Sequence, residues 1–118
     1  MGLQYRPIRI AANGKNITTV GIIDTGADET VISPYLAELL QCKLWGEFSA
    51  LSATGHEIIG QYTTLSIISD EWHNISIIDY QVGVVKEPFR EEGDEGVHII
   101  LGVDFLQDTE YELKFKNQ

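Results

Sequence analysis

Val20-Gly21-Ile22-Ile23-Asp24-Thr25-Gly26-Ala27 reads as an apolar strand that delivers a carboxylate onto a tight, glycine-permitted turn. An aspartate displayed in this way suits hydrolysis by paired carboxylates that share one proton. One carboxylate activates a water and the other protonates the carbonyl oxygen under attack. The chain contains one such turn. Its other aspartates lie in Asp28-Glu29, Asp70-Glu71, Asp79-Tyr80, Asp94-Glu95, Asp104-Phe105 and Asp108-Thr109, none followed by Thr-Gly or Ser-Gly. The second carboxylate must then come from a second copy, and a two-fold axis between identical turns sets Asp24 against its mate. The expectation is an obligate C2 homodimer.

A bare Asp-Thr-Gly arises by accident in a chain of this length on the order of a few times in a hundred. Its weight grows through a second landmark, His98-Ile99-Ile100-Leu101, then Gly102, then Val103-Asp104-Phe105-Leu106, which reads as strand, tight turn and short helix. With both landmarks in this order and separation, the chain resembles the retropepsin family, the homodimeric aspartic proteases of retroviruses and their cellular relatives. The resemblance covers nearly the whole chain. A start at Met1 and the overall look are closer to small stand-alone microbial members. The resemblance implies a mostly β, closed-barrel acid-protease subunit with one or two short helices. It also implies one domain over residues 1–118, and a C2 homodimer that hydrolyses polypeptides without a cofactor or metal.

The resemblance also implies residue roles. Asp24 from each subunit forms the dyad, and Thr25 locks the two turns across the axis. Gly26 admits the substrate backbone, Ala27 is the small residue beneath the dyad, and Asp28 hydrogen-bonds the peptide main chain. Leu51 to Gly60 becomes the flap that closes over the peptide, with Ala53, Thr54 and Gly55 at or near its tip. One departure stands out. Many retroviral members place arginine after the distal glycine, paired with the acid that matches Asp28, where this chain has Val103. Asp28 is then either held by another donor or freer to contact substrate.

Composition fits one small domain with one core. The single Cys42 excludes an intrachain disulfide and reads as a small apolar filler, so a reducing cytoplasm is expected. No run approaches the roughly 20 apolar residues of a membrane span, and the N-terminal stretch lacks a signal pattern. The sequons at Asn16 and Asn74 are read as coincidence. Formal net charge is −10, which disfavours nucleic acid as a partner. The acids Glu87, Glu91, Glu92, Asp94 and Glu95 read as a solvated loop. A sharper alternative is an acidic rim that attracts basic peptides. His56, His73 and His98 lack ligand spacing for a metal, and His56 is expected at the surface.

Periodicity gives a series of short strands. Gln4 to Ala12 alternates, with Pro7 directing it to a sheet edge. Asn13-Gly14 marks a tight hairpin into Asn16 to Ile23. Ser33-Pro34 reads as an N-cap and first helical position before Tyr35 to Leu40. Phe48 to Tyr62 is the flap hairpin region, and Thr63 to Ile68 and Ile75 to Val85 are core strands separated by a polar corner. Tyr111 to Lys116 alternates as a terminal strand. Trp45, Trp72, Tyr80 and Phe89 are expected to pack and not to bind substrate.

Three functions of different class remain open on the sequence. The leading one is an aspartic endopeptidase with an Asp24 dyad. The others are a catalytically silent retropepsin-like module for peptide binding or dimerisation, and an unrelated acidic β domain in which Asp24 merely caps a turn.

Overall fold

The computed structural model describes residues 3–24, 26–51, 55–69, 75–86 and 97–109. Among these described residues run seven strands: β1 (Leu3–Ala12), β2 (Lys15–Asp24), β3 (Val31–Ile32), β4 (Trp45–Leu51), β5 (Glu57–Ser69), β6 (Ile75–Val85) and β7 (Val97–Leu101). Helix α1 (Pro34–Leu39) sits between β3 and β4, and α2 (Val103–Thr109) follows β7. Strand order is β1-β2-β7-β3-β6-β5, and β5 pairs back onto β1. Among the described residues six strands thus close a barrel, with β4 attached outside it through β5 alone.

The first hairpin forms where Asn13 (φ 55°) and Gly14 (φ 75°) supply two successive left-handed residues, the conformation a two-residue type I′ turn requires. It sets β1 against β2 in register from Leu3 opposite Asp24 to Ala12 opposite Lys15. Pro7 does not make β1 an edge strand along its length. Arg9–Ala11 pair with Ser66–Ile68 of β5, so the strand acquires its second neighbour only beyond the residue that cannot donate to a ladder.

Burial along β2 follows from its neighbours. Its first half alternates between exposed and half-buried residues, then Gly21, Ile22 and Ile23 are buried in succession. That change coincides with the parallel pairing to β7, where Ile23 lies opposite Leu101. A strand flanked on both edges and covered on both faces carries a continuous apolar run. Ile8, Ile10, Ile23, Ile32, Leu65, Ile67, Ile99, Leu101 and Phe105 meet in one cluster, and each is buried to within 2%.

Helix α1 begins as its sequence directs. Ser33 has extended backbone and its hydroxyl accepts the Leu36 amide at 3.1 Å, with Pro34 in the first turn. At the other end Cys42 N–H donates to Ala37 O (2.9 Å) and Gln41 N–H to Glu38 O (3.0 Å), the paired bonds of a Schellman motif. Gln41 takes the left-handed position (φ 53°) usually given to glycine. The Asn13 side-chain amide donates to Leu40 O at 2.9 Å and Gln41 O at 2.7 Å, tying the first hairpin to the end of this helix.

One boundary differs from the expectation. No break separates Tyr62 from Thr63, because β5 runs unbroken for 13 residues and serves both the outlying hairpin with β4 and the barrel. Trp45 is 44% exposed, stacked on Tyr62 with ring centroids 5.1 Å apart, so it packs at the surface and not in the core. Tyr80 is half-buried against Phe105. Trp72, Phe89, the polar corner at 70–74, the acidic stretch at 87–96 and the terminal segment 111–116 lie outside the described residues.

Candidate active site

Sheet topology brings the two sequence landmarks together. Because β2 and β7 are parallel neighbours, their C-terminal ends emerge side by side, and with them Asp24 and Gly102. β7 also pairs with β3 on its other edge, Val31 opposite Ile100 and Ile32 opposite Ile99. The segment from Asp24 to Thr30 must therefore arch over the end of β7 to pass from one of its neighbours to the other.

That crossing explains Gly102. A Cβ there would lie 2.7 Å from the Glu29 carbonyl carbon and 2.8 Å from the Ala27 oxygen, backbone atoms that cannot step aside. With hydrogen in that place, Val103 N–H donates to Ala27 O at 2.8 Å and Asp104 N–H to Asp28 O at 3.2 Å. The start of α2 thus carries the loop on its own backbone donors.

Asp24 closes its turn itself. Its Oδ1 accepts the Gly26 amide at 2.8 Å and its carbonyl accepts the Ala27 amide at 3.1 Å. Among the described residues only Oδ1 of this half-buried carboxylate is engaged. A Cβ at Gly26 would come within 3.2 Å of that oxygen, so glycine keeps the carboxylate unobstructed from within its own turn. Ala27 is half-buried, and Asp28 is exposed with no hydrogen-bond or ion-pair partner for its carboxylate among the described residues.

Two residues that the sequence reading left without a role hold this arrangement. Thr30 is 1% exposed. Its hydroxyl donates to Asp104 Oδ1 at 2.8 Å, its amide donates to Asp104 Oδ2 at 3.1 Å, and its Oγ1 accepts the Gly102 amide at 3.0 Å. Asp104 Oδ1 also accepts the Phe105 amide at 2.6 Å. Buried polar groups require partners, and here they find one another across the loop. Glu29 lies between. Partial burial, with Asp104 and Asp28 close by, pushes its carboxyl above the ordinary glutamate range.

Gly55 is exposed with φ 88°, between the ends of β4 and β5. His56 is exposed. Thr25, Ala53 and Thr54 lie outside the described residues. Among the described residues, no group of three or more His, Cys, Asp or Glu side chains is placed to hold a metal ion, and no helix is long and apolar enough to cross a membrane.

A family model described as aspartyl protease matches residues 7–105. No curated protein matches the chain. Solved structures do, among them EIAV protease complexed with the inhibitor HBY-793. That structure is 21% identical with a TM-score of 0.62, over 96% of this chain and 93% of that one.

Proposed function

The chain belongs to the aspartyl protease family, with a retropepsin-like fold, and from that premise we propose that it is an aspartic endopeptidase working as a homodimer. The observation that carries the reading is the placement of Asp24. A single carboxylate per chain ends β2 on a self-closed turn, with one oxygen uncommitted among the described residues. In the addition step one carboxylate must take a proton from water while another donates to the carbonyl oxygen, and a lone aspartate cannot do both at once, so the turn needs a copy of itself.

In the dimer, two Asp24 carboxylates at contact distance cannot both ionise, and the pair holds one proton. The charged member removes a proton from a bound water, the oxygen attacks the peptide carbonyl, and the protonated member donates to the carbonyl oxygen. The tetrahedral diol then collapses: the carboxyl that took the water proton gives it to the amide nitrogen, the C–N bond breaks and the amine leaves, while a diol hydroxyl passes its proton to the other Asp24 as the carbonyl re-forms, which restores the singly protonated pair. No covalent intermediate forms. Thr25 from each chain ties the two turns together, Ala27 and Asp28 meet the extended substrate, and the hairpin from Leu51 to Gly60, with Ala53, Thr54 and Gly55, covers it. The same chemistry places activity on the acidic side of neutral.

The test compares wild type with Asp24→Asn on a mixed peptide library, reading cuts by mass spectrometry between mildly acidic and neutral pH, alongside sedimentation of both proteins. Cuts by a dimeric wild type alone support the reading. Equal cutting by the variant removes Asp24 from the chemistry, and a wild type that stays monomeric under cutting conditions removes the dyad.

A further inference from the structure

Away from Asp24 and residues 26–30, a cleft of about 1140 Å³ opens between α1, β4, β5 and the end of β6. Three carboxylates stand around it, Glu38 from α1, Glu47 from β4 and Glu57 from β5, against one cation, Lys86. All four are exposed. Glu57 Oε2 accepts the Ser49 hydroxyl at 2.9 Å. Among the described residues, the Glu38 and Glu47 carboxylates have no hydrogen-bond or ion-pair partner. Between the acids the wall is apolar, with Leu44 and Ile59 still 42% and 46% exposed.

A second observation concerns the backbone. β4 terminates the sheet and pairs with β5 alone, so among the described residues its outer edge keeps unmatched N–H and C=O groups. Residues 46–49 of that strand line the cleft. An unmatched edge accepts an extended chain as an added strand, with affinity from main-chain hydrogen bonds and selectivity from alternate side chains. Carboxylates at the rim select ammonium or guanidinium groups, and Leu44 and Ile59 select an apolar neighbour. In a chain of net charge −10 an acidic segment is repelled.

We propose that this cleft is an exosite for a lysine- or arginine-bearing, extended flank of the polypeptide substrate, laid along β4 away from the scissile bond. The proposal rests on the reading of the chain as an endopeptidase and adds a selectivity for what lies beside the cut. Energetically it lowers KM for flanked substrates without changing the chemical step, because the contacts are equal in ground and transition states.

The experiment uses a short cleavable core peptide, the same core with an alternating Lys-Leu tail, and the core with a Glu-Leu tail. They are assayed on wild type and on the doubly reversed Glu38→Lys, Glu47→Lys protein, whose fold is checked by circular dichroism. The expected result is a KM for the Lys-Leu peptide at least threefold below that of the core, with kcat unchanged. The advantage disappears in the double variant and in high salt, while the core peptide is cut equally by both proteins. Equal KM for core and Lys-Leu peptides, or an advantage that survives in the double variant, overturns the proposal. Should wild type cut nothing, the endopeptidase reading fails separately, and the exosite is read by fluorescence anisotropy of a labelled Lys-Leu tail. Binding lost on charge reversal supports it, and absence of binding overturns it.

Discussion

Asp104 grips Thr30 with both carboxylate oxygens, one on the hydroxyl at 2.8 Å and the other on the amide at 3.1 Å. Because Thr30 is buried, neither donor has water to fall back on. Asp104→Ala is therefore expected to cost about 2–3 kcal/mol of stability, the range for hydrogen bonds to a charged group plus a stranded donor. Asp104→Asn keeps one acceptor and loses roughly half as much. Urea unfolding of the three proteins measures the difference, and equal midpoints would show that the clamp carries no load.

Gly102→Ala addresses the crossing itself. A methyl group 2.7 Å from the Glu29 backbone forces the loop away from α2, at an expected cost of about 3 kcal/mol, the upper end for overpacking. Cleavage should fall with it, since the shift propagates three residues back to Gly26. A variant with wild-type midpoint and turnover would show that the loop has room the distances deny it.

Glu29 gives a pH dependence with a definite sign. Burial and the neighbouring Asp104 and Asp28 raise its pKa on folding, so the folded chain holds the proton more tightly than the unfolded chain. Its contribution is then fully present below the ordinary glutamate value and is lost as pH rises through the folded-state value. Glu29→Gln removes that loss. The stability of the variant relative to wild type is expected to rise as pH climbs from acidic to neutral and to level off above; chemical unfolding at a series of pH values reads the trend, and a constant difference would refute it.

Asn13 couples the first hairpin to the end of α1. Asn13→Gly preserves the left-handed turn and removes only the amide that serves Leu40 O and Gln41 O, an expected loss of about 1–2 kcal/mol. Gln41→Gly should act in the opposite direction by up to about 1 kcal/mol, by relieving a side chain held at positive φ. Thermal unfolding of each single variant decides both signs.

Local chemistry was legible in the sequence where one or two residues determine a conformation. Asn13-Gly14 specified its turn, Ser33-Pro34 opened a helix at the expected residue, Ile75 to Val85 is the strand its pattern announced, and the two landmarks pointed to the mostly β barrel. What escaped depended on partners far away in the chain. β3 is two residues long and exists because β6 and β7 flank it, so no periodicity could reveal it. Pro7 was assigned to an edge without sight of β5 arriving two residues later. Thr30 looks like any threonine until the barrel closes. Asp104 stood inside the second landmark, but nothing in its neighbours along the chain identifies Thr30 as its partner.

The separation of 74 positions from Thr30 to Asp104 also has a meaning in time. At synthesis rates of roughly 5–20 residues per second, the part of the chain carrying Asp24 exists for several seconds, on the order of 4–15, before the residues that seat its turn have been made. An emerging chain thus carries the aspartate without the support that shapes it until Gly102 and Asp104 have been added. On the proposed reading, a nascent polypeptide that has not yet reached Gly102 is harmless to its neighbours on the ribosome and to itself.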